Sequence, residues 1–146
     1  MKKILTLAAC AALLTGCDFV GSDVEPAAFS NLILTDSPLP RDEDGSRPDI
    51  YVEIQDVGGR AVVKADQVFE DAEATSFPLT VAGSGALVGT ARSYYVVVMD
   101  RDEDGSYDLI GISKPFTAEA LRTSTEPVFE VTNEQGNLRA ELTLAR

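Results

Sequence analysis

An antiparallel β-sandwich with at most one short helix is the fold class that this chain of 146 residues predicts. Three observations carry the prediction. The apolar residues fall in short runs rich in β-branched and aromatic side chains, without a sustained 3.6-residue period. Clusters of Gly, Pro, Asn and Asp separate those runs at short intervals. Thr117-Ala118-Glu119-Ala120-Leu121-Arg122 is the one segment with helical character, and it is long enough for only a turn or two. Chains built this way bury their strands by packing two sheets face to face.

Taken in order, the first element is a leader. Met1-Lys2-Lys3 is a positive start, and Ile4 to Leu14 is an uncharged apolar stretch. That stretch is too short to span a bilayer stably and reads as an export signal. It ends in Leu14-Thr15-Gly16-Cys17, which resembles the lipobox of bacterial lipoprotein signal peptides: a large apolar residue, two small ones, then cysteine. The resemblance implies cleavage after residue 16 and a lipidated Cys17 as the first mature residue. An ordinary export signal with a chance cysteine is the alternative. A diacyl anchor with a further amide-linked chain would hold the protein stably at a bilayer. The implied location is the bacterial cell envelope, on the inner or the outer membrane, with the domain outside the cytoplasm. Residues 17–28 then read as a lipidated tether and residues 29–146 as one domain, large enough for a real core.

Within the domain, Asn31 to Asp36 is a short apolar strand, and Ile50 to Val57 is a β-rich one. Gly58-Gly59 signals a two-residue hairpin, with Arg60 to Lys64 returning. Phe77 to Val81 follows, and Gly83-Ser84-Gly85 interrupts the chain. Ala91 to Met99 is the strongest strand, uncharged after Arg92 and expected to be buried on both faces. Phe129 to Thr132 and Leu138 to Leu144 pair across a polar turn. In the last of these Leu138, Ala140, Leu142 and Leu144 alternate with polar residues, the pattern of a half-buried strand.

Charge and cysteine content exclude several function classes. There are 12 basic and 24 acidic residues, for a formal charge of −12, and no histidine. Loss of Lys2 and Lys3 with the leader takes the charge to −14, since no acid leaves with them. Nucleic acid is not an expected partner, and an anionic surface would repel the metal-free protein. High acid with little lysine is also what a saline habitat selects, in which case part of the charge serves solvation. Cys10 leaves with the leader, so the mature chain has no cysteine pair for a disulfide. Without histidine or a free thiol the usual nucleophile–base pairs are missing, and an enzyme is not expected.

Chemistry concentrates in Asp100-Arg101-Asp102-Glu103-Asp104-Gly105-Ser106-Tyr107-Asp108. Two carboxylates 4 Å apart repel by about 1 kcal/mol in water and by several times more in a less polar site. Oxygen-only donors favour calcium, less often magnesium, over zinc or copper. The six residues from Arg41 to Ser46 repeat those from Arg101 to Ser106 identically. Asp100, Asp102, Asp104 and Gly105 match the opening of an EF-hand loop, but its twelfth position is Gly111 where a bidentate glutamate belongs, and a strand precedes it instead of a helix. Solvated acidic turns without an ion are a further alternative.

The pattern that covers most of the domain resembles a C2 domain, a calcium-dependent phospholipid-binding β-sandwich. Leu39-Pro40-Arg41 leading through an aspartate loop into Asp49-Ile50-Tyr51-Val52 is similar to that family's first loop. Val97-Val98-Met99-Asp100-Arg101-Asp102 with Asp108-Leu109-Ile110-Gly111 is similar to its third. The resemblance implies an eight-stranded sandwich and two calcium ions held by Asp42, Asp49, Asp100, Asp102 and Asp108. Asp44 and Asp104 are secondary candidates. The upstream first-loop ligand is open between Asp42, Glu43 and Asp44, with Asp42 preferred because it follows the Leu-Pro-Arg entry. Here Ile50 stands where the family has proline, and Pro48 lies on the other side of the aspartate. The implied function is a lipid-anchored calcium-binding module of the envelope. Its calcium would bridge to anionic phospholipid or acidic polysaccharide. The alternative is a calcium-stabilised structural or adhesion lipoprotein with a protein partner.

Overall fold

The computed structural model describes residues 24–36, 39–41, 45–89, 91–125, 128–133 and 139–145. The leader, Cys17, Asp42 and Asp44 lie outside these residues. Ten strands, one short α-helix and one 3-10 turn (Ala74–Ser76) are the regular elements of the described residues: β1 (Val24–Asp36), β2 (Ile50–Asp56), β3 (Ala61–Lys64), β4 (Leu79–Thr80), β5 (Ser84–Val88), β6 (Ser93–Arg101), β7 (Tyr107–Ser113), β8 (Phe116–Thr117), α1 (Ala118–Thr123), β9 (Val128–Thr132) and β10 (Arg139–Ala145). β4 and β8 are two residues each, so the eight longer strands carry the architecture.

All pairings are antiparallel. β3, β2, β6 and β7 form one layer, and β5, β1, β10 and β9 form the other. The layers meet along two narrow seams. β3 joins β5 through the single pair Val63–Gly85, and β7 joins β9 through two pairs. Between the layers lies the core, with Ile50, Val52, Ile54, Val96, Val98 and Ile110 from one and Ala27, Phe29, Leu32, Leu87 and Val131 from the other. Phe116 stacks between Tyr94 and Phe129, at centroid distances of 6.1 and 4.2 Å.

The first strand starts before the residue at which the domain was expected to begin. β1 begins at Val24, inside the stretch read as tether, because residues 24 to 28 pair with β5. That partner lies far along the sequence, and Pro26 reads locally as a strand breaker. Proline is tolerated there because β10 joins β1 only from Ala28 onward, so Pro26 has a neighbour on one side alone. A register shift between Phe29 and Asn31 then changes which parity faces inward, from Ala27 and Phe29 to Leu32.

The β2–β3 hairpin also differs from expectation. Its loop is Val57-Gly58-Gly59, one residue longer than the two glycines, and Asp56 N donates to Arg60 O at its base. Asp56 Oδ1 accepts from both Gly58 N and Arg60 N. Those bonds, Arg60 N–H foremost, hold the Asp56 carboxyl below the usual range. Phe77 to Val81 contains only the two residues of β4, while Gly83-Ser84-Gly85 opens β5 instead of ending a strand. The helix falls where it was read. Thr117 Oγ1 caps it by accepting from Ala120 N, and Ala118 and Leu121 are its buried face.

Tyr94 ties the layers chemically as well as by packing. Its ring is fully buried, and its hydroxyl accepts from Val88 N at 2.8 Å and donates to Val88 O at 2.7 Å. Tyr94→Phe is expected to lower stability by about 1–2 kcal/mol, the value of one or two neutral hydrogen bonds. Urea denaturation checks this, and an unchanged midpoint would mean that water replaces the hydroxyl without cost.

Candidate metal site at one end of the sandwich

The sheet register brings the carboxylates together. In the β2–β6 pair Ile50 lies opposite Asp100, and in the β6–β7 pair Asp100 lies opposite Asp108. Asp100 is therefore the last inward-pointing residue of β6, only 6% exposed, and not a member of a free loop. Like charges directly opposite in a ladder are unfavourable unless something offsets them. Asp49 N donates to Asp100 Oδ1 at 2.6 Å, and Arg101 N donates to Asp49 O at 2.9 Å, so the first and third loops are bonded to each other.

A third segment joins them. Asp71 N donates to Asp49 Oδ1 at 2.8 Å. Asp71 holds a left-handed φ of 49°, a conformation that aspartate tolerates better than most residues and that collects at functional sites. Ile50 and Phe69 exchange both of their backbone hydrogen bonds, which presses this segment against the start of β2. That exchange gives a physical reason for isoleucine at position 50, since proline has no N–H to donate.

The result is an open depression of about 770 Å³. Asp49, Glu70, Asp71, Asp100, Asp102, Glu103 and Asp108 line it, together with Arg47 and Arg101; the Arg47 guanidinium is ion-paired to Glu73. Of the proposed ligands, Asp49, Asp100, Asp102 and Asp108 are thus brought to one place. Asp104 is not in the lining. Its Oδ1 accepts from Ser106 N at 2.8 Å, so it closes its own turn. Asp42 and Asp44 lie outside the described residues. Glu70 and Asp71 were not singled out from the sequence. They are an ordinary acidic pair there, and the backbone bonds between Ile50 and Phe69 and from Ala72 N to Pro48 O carry them to the site.

The two identical hexapeptides adopt similar turns: Gly45 and Gly105 have φ of 87° and 85°. In the second, Gly105 N donates to Asp102 O, Asp102 N to Ser106 O, and Ser106 Oγ to Asp102 Oδ2. In the first, Arg41 Nη1 donates to Gly45 O at 2.8 Å. Among the described residues no three carboxylates stand close enough together to hold an ion as they are. Asp49 and Asp100 each accept a backbone N–H, and Asp102 accepts the Ser106 hydroxyl. The donor set is entirely oxygen and strongly anionic, which fits calcium chemistry, and an aspartate that accepts one N–H keeps acceptor capacity for an ion.

The Ser106 hydroxyl, whose one proton Asp104 shares with Asp102 Oδ2, and then the Ser106 N–H at 2.8 Å, hold the Asp104 carboxyl below the usual carboxylate range. A depressed folded pKa means that the bond stabilises the turn above the unfolded value of about 3.9 and is lost as pH falls through the folded pKa. Amide exchange at Ser106 should therefore be protected at pH 6 and unprotected near pH 2. Equal protection at both would show that the carboxylate does not hold the turn.

Two four-stranded antiparallel layers joined at both edges, with acidic loops gathered at one end, define a C2-like domain. The solved structures agree. The C2 domain lettered A of a plant extended synaptotagmin 1 aligns with a TM-score of 0.52 at 11% identity, over 83% of this chain and 89% of that one. The domain titled BON1-C2B aligns with a TM-score of 0.51 at 13% identity, over 86% and 91%. No family model matches the sequence, and no curated protein matches it. The likeness is one of fold.

Proposed function

We infer that this chain is a lipid-anchored calcium-binding module of a bacterial envelope. One observation carries the reading: three separate segments of a C2-like sandwich bring Asp49, Asp71, Asp100, Asp102 and Asp108 to a single depression. Asp49, Asp100, Asp102 and Asp108 would hold calcium, with Asp42 completing the first loop and with two ions to offset the charge. Bound calcium supplies positive potential where the protein alone is anionic, and so a bridge to phosphate or carboxylate oxygens of lipid or polysaccharide. The anchor is Cys17, on the strength of the Leu14-Thr15-Gly16-Cys17 motif.

The test uses residues 18–146, which carry neither leader nor lipidation site. Calorimetric titration with calcium is expected to give saturable heat, and phosphatidylserine vesicles are expected to sediment the protein only with calcium. No heat would sink the calcium reading. Calcium binding without sedimentation would remove anionic lipid as the ligand and leave the ion a stabilising role.

A further inference from the structure

The start of the first strand and the acidic depression lie at opposite poles of the sandwich. β1 runs from Val24 toward Asp36, and the segment after it leads to the depression at Asp49. Val24 pairs with Val88, whose N–H and C=O both bond the Tyr94 hydroxyl. Tyr94 lies six residues before Asp100 on β6, which is about 20 Å of strand. Cys17 stands seven residues before Val24, and seven residues span at most about 24 Å. Seating the depression on a bilayer that holds Cys17 would use nearly all of that reach. Seating the opposite pole uses almost none.

Charge divides along the same axis. Carboxylates far outnumber Arg47 and Arg101 at the depression. The opposite pole is built from the β2–β3 turn, the β5–β6 turn, Lys114 and α1. These lie together because Asp56 and Phe116 both pair with Tyr94. Arg60, Arg92, Lys114 and Arg122 are all exposed there. Arg60 and Arg122 are ion-paired to Asp56 and Glu119, whereas Arg92 and Lys114 have no ion pair among the described residues. Glu25 adds one carboxylate to this pole. Val57, in the β2–β3 turn, is 68% exposed, and Val88 and Val128 are exposed at the same end.

Basic side chains held close to an anionic bilayer are attracted to it, and the attraction falls off within a Debye length. With this pole seated, the depression stands about 20 Å away, beyond the Debye length of about 8 Å at physiological salt. The reverse orientation would press the carboxylates into a field of their own sign.

We propose that the pole carrying Arg92 and Lys114 docks on the anionic bilayer that holds the anchor, on the reading that Cys17 is lipidated. The acidic depression is thereby presented away from that bilayer. Calcium held there would bridge to an anionic group across from the anchor, not to a headgroup beside it. The docking itself needs no calcium.

The test uses the full chain expressed in a bacterium, purified from its membranes and reconstituted into vesicles of phosphatidylcholine and phosphatidylglycerol. With Cys17 blocked by lipid, a dye is attached at Ala91→Cys or at Ser46→Cys, one exposed position at each pole. Brominated phosphatidylcholine in the vesicles quenches only dyes at the bilayer. In chelator the dye at 91 is expected to lose most of its fluorescence, and the dye at 46 to keep it. Calcium should not raise the quenching at 46 in vesicles too dilute to touch one another. Arg92→Glu combined with Lys114→Glu should restore fluorescence at 91. Val57→Cys serves if Ala91→Cys melts below the wild type. Equal quenching at the two poles, or more at 46, would overturn the proposal. So would quenching at 91 that survives the charge reversal, because nearness through the tether alone would then suffice. Self-quenching between dyes at 91, without quenching by lipid, would assign the pole to a second copy instead. A mature mass with no lipid on Cys17 would overturn the anchor reading and the proposal together. A lipidated protein with the wrong quenching pattern would overturn the proposal alone.

Discussion

Asp100→Asn is expected to abolish the calcium-dependent rise in melting temperature while leaving the chelated protein as stable as the wild type or more so. Calcium at a hundredfold excess over its dissociation constant stabilises a folded domain by about 2.7 kcal/mol, or about 10 °C for a domain of this size. Asp100 is the centre of the site: buried, opposite Asp108 in the ladder, and accepting the Asp49 N–H. Asparagine keeps an oxygen for that N–H and removes the charge. The opposing signs in calcium and in chelator are what a ligand role requires. A merely structural aspartate would lower stability in both.

Asp104→Asn is the control that separates two arrangements of the same loop. A single-loop site of the EF-hand kind would need Asp104. The acidic depression draws on three segments and Asp104 is not in its lining, so under the proposed arrangement this variant should keep the full calcium effect. Scanning calorimetry with and without chelator reads both substitutions, and loss of the effect in Asp104→Asn would reinstate the single-loop arrangement.

Gly83→Ala is expected to be the most damaging small substitution outside the site. A Cβ at Gly83 would fall 2.2 Å from Lys64 O and 2.9 Å from Ala65 Cα, and Gly83 also has φ of 153°. At Gly85 a Cβ would fall 2.3 Å from Val62 O. Both contacts are with backbone, so no side chain can swing aside. The two layers are pinched together here, where β3 meets β5 through one pair. Overpacking costs about 1–3 kcal/mol and a strained dihedral a similar amount, so a loss of about 3 kcal/mol or more is expected. Gly45→Ala is the comparison: nothing lies within 4 Å of its Cβ position, leaving only the cost of φ 87°, about 1–2 kcal/mol. Urea midpoints rank the two, and equal midpoints would show that the β3–β5 seam is not close-packed.

The loop chemistry was legible because aspartates at short spacing need no partner to be recognised as oxygen donors. The strands at 50–56, 93–101 and 139–145 were legible from alternation or from unbroken apolar runs. The strand from Ala91 to Met99, expected to be buried on both faces, is so from Val96 onward: Val96 and Val98 face the core, and Val97 and Met99 on the other face are also buried. Gly111, which argued against an EF-hand, has its own reason in the fold: a Cβ there would meet Val131 Cγ1 at 2.9 Å under β9.

The sequence by itself determined the kind of chemistry available, hard anionic oxygen in turns, and a fold class of short antiparallel strands. Both are local properties, set by side-chain type and by periods of two to four residues. Which carboxylates share a site was decided only by the tertiary structure. Asp71 reaches Asp49 through the Ile50–Phe69 exchange, Asp104 turns back onto Ser106, and β1 starts at Val24 because β5 is there to pair with it. Each of these rests on hydrogen bonds or register between particular residues, and composition alone does not specify which groups will meet.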